Sequence, residues 1–195
     1  HQSGHGPATG LSEVSGVLIH MADSLDSSVQ LWLRELASGL KSMVIECPTE
    51  LAQEIPSVLK QIWLDSPHHQ FEKFEPDQYE QLMARIDQLV SRMTVSVAGQ
   101  APADGGPVYL WLLNQSQNFT PEQLLLLGQI LIHLPGLNLR MVLLHSGEKA
   151  PKSWTDATRG QTRVFNCDHL KRATPQAPID DPSIPPSWDT LGPDS

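Results

Sequence analysis

Residues 108–123 read VYLWLLNQSQNFTPEQ, an unbroken apolar run followed by amides and hydroxyls and then Thr-Pro-Glu. With no polar position to mark a solvent face, Val108–Leu113 is expected to be a central strand covered on both sides. Thr120 is placed to cap, and Pro121 to open, a helix reaching about Leu134, with Gly136 ending it. A strand buried on two faces needs helices above and below its sheet, so the rest of the chain should supply them.

Upstream, residues 28–39 space Val29, Leu31, Trp32, Leu33 and Leu36, with Leu40 beyond, as a broad apolar helical face closed by Gly39. Residues 42–47 (SMVIEC) then form a short strand stopped by Pro48. Thr49 can cap a helix from Glu50 to about Trp63, which Pro56 should kink or split. Residues 70–74 alternate as a short strand, and Pro76 opens a helix to about Met93 with Tyr79, Leu82, Met83, Ile86, Leu89 and Val90 at helical spacing. Residues 98–107 read as a loop. Downstream, 138–144 is a second buried strand with His145 to Gly147 at its exit, and 163–167 (RVFNC) a last one. Strands alternating with helices predict a three-layer α/β domain, with a mainly parallel sheet of about five strands and helices on both faces. That domain is expected over residues 15–172, between a flexible lead (1–14) and a Pro-rich, disordered tail (173–195).

The composition narrows the function classes. Thirteen Lys and Arg against 22 Asp and Glu leave a net charge of −9, which repels phosphate backbones and argues against nucleic acid as a partner. No apolar run approaches the length of a membrane span, and the polar start lacks a signal-peptide pattern. Cys47 and Cys167 are the only cysteines, too few for a disulfide scaffold, and read as small buried hydrophobes in a reducing compartment. The expected location is the cytosol, including the cytosolic face of a membrane.

The stretch 108–123 resembles the Walker B strand and following helix of AAA-type P-loop ATPases of the ExeA secretion and DamX-like group. There an apolar strand ends in Asp-Glu, followed by Ala-Gln-Asn, an aliphatic residue and a Thr/Ser-Pro-Glu helix start; Gln117, Asn118, Thr120, Pro121 and Glu122 match. The resemblance places Asn114 where the magnesium-binding Asp would stand and Gln115 where the water-polarising Glu would stand. An amide is neutral, holds Mg²⁺ poorly and does not accept a proton at neutral pH. The phosphate-binding loop is missing as well: after the first strand the chain reads Pro48-Thr49-Glu50, with no GxxxxGK[ST] there or elsewhere. The resemblance therefore implies a P-loop-like fold over roughly residues 15–172 without ATPase chemistry. Its degenerate nucleotide site would comprise Pro48, Thr49, Glu50, Asn114, Gln115 and His145. It also implies protein partners, membrane-associated ones included, in bacterial inner-membrane or cell-envelope machinery. If strand order follows these ATPases, Cys47 and Cys167 lie on adjacent strands.

Other candidates have plainer readings. His68-His69 lack a second ligand pair at zinc spacing, so no metal site is expected. His145 reads as a satisfied strand-end histidine rather than a base. Arg159, Arg163, Lys171 and Arg172 read as a solvated surface more readily than an anion site. Trp32, Trp63 and Trp111 belong to the core, whereas Trp154 and Trp188, in polar and Pro-flanked contexts, are expected to be exposed interface anchors. The leading expectation is a non-enzymatic scaffold or regulator with no cofactor. The first alternative is a nucleotide sensor that does not hydrolyse; the second is unrelated chemistry around Cys47, Asn114, Gln115 and His145.

Overall fold

The computed structural model describes residues 25–168 and 170 apart from 103 and 148, and the compact unit Asp26–Asp168 carries the fold. The expected lead and tail, with Trp188, lie outside the described residues. The elements run α1 (25–37), β1 (Ser42–Glu46), α2 (Thr49–Ala52), α3 (Ile55–Trp63), β2 (His69–Phe74), α4 (Tyr79–Ser91), α5 (Val95–Ala98), β3 (Val108–Leu113), α6 (Pro121–His133), β4 (Leu139–His145), α7 (Lys152–Thr158) and β5 (Thr162–Asn166).

The five strands form one sheet in the order β2-β3-β4-β1-β5, and every pair is parallel. This is the expected three-layer α/β class. On one face, Val44, Trp111, Leu113, Met141 and Leu143 pack with Leu82, Ile86 and Leu89 of α4, Leu124, Leu127 and Leu131 of α6, and Trp154 of α7. The alternate strand residues Met43, Ile45, Leu110, Leu112, Val142 and Leu144 are equally buried on the other face. There Arg140 Nε donates to Leu36 O of α1 (2.8 Å), and Trp32 of α1 meets Phe165 of β5 with ring centroids 5.5 Å apart. The central strands are buried on both faces, as their continuous apolar sequences require.

Helix α6 begins where its sequence says it should. Thr120 Oγ1 accepts from Gln123 N (3.0 Å), Gln123 Oε1 accepts from Thr120 N (2.9 Å), and Pro121 occupies the first turn. Other local expectations are corrected. Pro48, not Thr49, is the N-cap of α2, and no side chain caps it. The helix expected over Glu50–Trp63 is two helices, with the break before Ile55 and Pro56 in the first turn of α3, where a missing N–H costs nothing. Pro76 opens a 3-10 turn (Pro76–Gln78) before α4 rather than α4 itself. Leu31 is 52 % exposed and so lies off the buried face of α1. Two short helices, α5 and α7, were not expected at all. Gly136 does not end α6, which stops at His133 with Leu134 as its C-cap; the left-handed residue is Asn138 (φ 55°), which closes the Pro135–Leu137 turn. Gly136 instead lets α5 come close, since a Cβ there would stand 2.8 Å from Ala98 Cα.

Candidate functional site

Because all five strands are parallel, their C-terminal ends share one edge, where the ligands of open α/β sheets bind. Pro48, Thr49 and Glu50 follow β1, Asn114 and Gln115 follow β3, and His145 closes β4, so the fold brings residues far apart in sequence to that edge. Two clefts open there. One, of about 550 Å³, is lined by Thr49, Gln53, Ser57, Lys73, Asn114, Gln115, Gln117 and Ser146 among others. The other, of about 380 Å³, is lined by Glu46, Cys47, Pro48, Gly147, Lys149, Asn166 and Asp168. Thr49 and Pro48 thus line different clefts.

Asn114 is fixed by its surroundings. Its backbone N donates to Phe74 O (2.9 Å), and its side-chain Nδ2 donates to both carboxylate oxygens of Glu75, at 3.2 and 3.1 Å. Glu75 also faces Lys73 Nζ at 3.6 Å, so Lys73, the one cation among the described residues lining the larger cleft, already has a carboxylate partner. Glu75 was not singled out from the sequence. Its signal was local, since Glu75 and Gln78 form a reciprocal capping box.

Gln115 has a left-handed backbone (φ 50°, ψ 51°) and turns the chain sharply away from the sheet, its side-chain Oε1 accepting from Asn118 Nδ2 at 3.2 Å. Gln117 Oε1 accepts from Ser146 N (3.1 Å), tying the exit of β3 to the exit of β4. Beneath these, Ser116 Oγ and His145 Nδ1 lie 2.7 Å apart and both residues are buried. His145 thus ends its strand buried, with Ser116 as a hydrogen-bond partner. Thr49 and Glu50 are exposed at the start of α2, which has only four residues and is preceded by Pro48, itself lacking an N–H.

Several sequence candidates lie elsewhere. Trp154, expected as an exposed anchor, is fully buried in α7, and its Nε1 donates to Ser42 Oγ at 2.7 Å. Its polar neighbours in sequence face outward on a helix that the sequence pattern did not reveal, while the indole points at the sheet. His69 Nδ1 lies 3.2 Å from Trp63 O, and its ring stacks on Trp63 at 3.9 Å, an environment in which burial lowers its pKa. His68 has a left-handed φ of 70°. Arg163 Nε pairs with Glu35 Oε1 at 2.6 Å, and Lys171 and Arg172 lie outside the described residues. Cys47 and Cys167 directly follow the adjacent strands β1 and β5, close to the placement the resemblance implied, and both are free and buried.

At the β3 exit the edge can offer amide and hydroxyl hydrogen bonds and one carboxylate, Glu75, already engaged by Asn114 and Lys73. Among the described residues no cluster of three or more His, Cys, Asp or Glu is arranged to hold a metal ion. No helix among them is long and apolar enough to cross a membrane.

No protein-family profile matches the chain, and no curated protein matches it. Among solved structures it is similar to a crystal structure of Cdc6p from Pyrobaculum aerophilum, at 14 % identity and a TM-score of 0.47, over 71 % of this chain and 44 % of that one. The chain thus matches less than half the length of that protein.

Proposed function

We propose that this domain is a P-loop-like domain without catalytic machinery that serves as a scaffold or regulator through protein contacts. The observation that carries the reading is the state of the β3 exit. Asn114 is held as a donor to Glu75, so the position the resemblance assigns to a magnesium ligand presents a hydrogen-bonded amide. The turn after β1 supports the same reading, since it has no glycine to expose successive backbone N–H groups to a phosphate. Exposed apolar side chains at Val95 (81 %), Val97, Leu125 and Leu126 give a partner something to bury. The match at Gln117, Asn118, Thr120, Pro121 and Glu122 is the support for a bacterial inner-membrane or cell-envelope setting.

The test is ATP turnover together with thermal unfolding in millimolar ATP with Mg²⁺ or ADP. No turnover and an unchanged Tm are expected. A second reading, a nucleotide sensor without hydrolysis, draws on the larger polar cleft with Lys73 on its wall. An upward Tm shift of several degrees, equivalent to roughly one or more kcal/mol of binding, would replace the first reading with the second.

A further inference from the structure

The chain has two cysteines, and the sheet order places them side by side. Glu46 and Asn166 are register partners at the ends of β1 and β5, and Cys47 and Cys167 are the residues directly after them. The ladder continues to that point, with Cys167 N donating to Glu46 O at 2.8 Å. Equivalent positions on neighbouring parallel strands are about 4.8 Å apart and project to the same face. That spacing falls within the roughly 4.4–6.8 Å that a disulfide requires between Cα atoms. Burial raises the pKa of Cys167, and charge on the neighbouring Cys47 raises it further.

Their surroundings differ. Cys47 is 5 % exposed and lines the open cleft of about 380 Å³. Cys167 is fully buried. We propose that this pair is a dithiol modification site, at which a small-molecule disulfide such as glutathione disulfide enters through the cleft, reacts first at Cys47 and leaves an internal Cys47–Cys167 disulfide. The Cys47 thiolate attacks one sulfur of the reagent, forming a mixed disulfide and releasing one reagent thiol. The Cys167 thiolate then attacks the Cys47 sulfur, forming the internal bond and releasing the second thiol. The protein loses two electrons and two protons, and the reagent gains both as two thiols. Burial pushes the Cys47 thiol up to about 11 and Cys167 to about 12, so the reaction is slow at neutral pH and quickens with alkalinity. The product ties the edge strand β5 to the central strand β1 and closes a long loop of chain, which stabilises the fold until a thiol reductant reverses it. Nothing in this chemistry depends on the proposed scaffold role.

The experiment treats the folded 195-residue chain with excess glutathione disulfide at several pH values and follows it by intact-mass analysis and peptide mapping. Expected are a monomer with both thiols lost and one internal bond, a rate rising about tenfold per pH unit between 7 and 9, and a Tm raised by several degrees. Cys167→Ser should stall with one glutathione on Cys47, whereas Cys47→Ser should react at least about tenfold more slowly; Cys167→Ala serves if the serine variant is unstable. Disulfide-linked dimers, an adduct mapped to Cys167 in the wild type, or a rate equal to that of global unfolding would each overturn the proposal.

Discussion

Burial of Trp154 can be tested against the exposed, partner-binding role that its sequence context suggested. Its indole is fully buried between α7 and the sheet, and its Nε1 donates to Ser42 Oγ at 2.7 Å in a pair with no solvent exposure at either residue. Trp154→Phe keeps an aromatic ring but removes the N–H, leaving the serine without that donor and a gap where the second ring was. An orphaned buried polar group costs about 1–3 kcal/mol, and the lost packing adds about 1–2 kcal/mol. The expected total is therefore about 2–5 kcal/mol, or a Tm drop of roughly 5–20 °C for a domain of this size. Ser42→Ala, which orphans the indole N–H instead, should cost about 1–2 kcal/mol. The double variant should be milder than the sum of the singles by about 0.5–1.5 kcal/mol, because the second change removes a group already left unpaired. Urea unfolding followed by far-UV circular dichroism measures all four proteins without relying on tryptophan fluorescence. A Trp154→Phe loss below about 0.5 kcal/mol, the level typical of surface positions, would refute the buried assignment. Strict additivity in the cycle would refute the hydrogen bond.

Asn114→Asp should not create ATPase activity, and it places a second carboxylate against Glu75. That neighbour raises the folded-state pKa of the new acid, so the penalty, about 1–2 kcal/mol, is full at neutral pH and vanishes as pH falls to its unfolded value near 4; urea midpoints of variant and wild type should converge there. Gly136→Ala drives a methyl into the backbone of α5, with Ala98 Cα only 2.8 Å from the new atom, and should lower stability by about 1–3 kcal/mol while increasing protease cleavage in residues 99–107. Alkaline unfolding should expose the thiols: with Cys47 raised to about 11 and Cys167 to about 12 from 9.0, their contribution is complete below pH 9 and is lost as pH rises through 11 and 12. A Cys47→Ala/Cys167→Ala double variant should show a shallower fall in urea midpoint across that window. Thr120→Ala removes half of the capping box on α6 and should cost about 0.5–2 kcal/mol in the same assay.

The class of fold was legible in residues 108–123 because two facts are written locally there. A run without polar residues has no solvent face, and a Thr-Pro-x-Gln start satisfies its helix N-terminus from within the same turn. The same locality explains the successes at β1 and β4 and the core placement of Trp32, Trp63 and Trp111. It also explains the misses. Helix α7 has too few residues to show a period, so the polar neighbours of Trp154 dominated its reading, and only packing against Ser42 reveals where the ring goes.

Residue types at the sheet edge were likewise available from the sequence: amides at 114 and 115, no glycine-rich loop after the first strand, and two cysteines far apart. Contacts between them were not. That Glu75 grips Asn114 across 39 residues, that Ser116 meets His145, and that Cys47 stands beside Cys167 all depend on the order β2-β3-β4-β1-β5. Local propensity decides whether a segment becomes a strand or a helix, because its hydrogen bonds and caps lie within a few residues. Which strands become neighbours depends on burying every apolar face of the chain at once, and only the tertiary structure records that outcome.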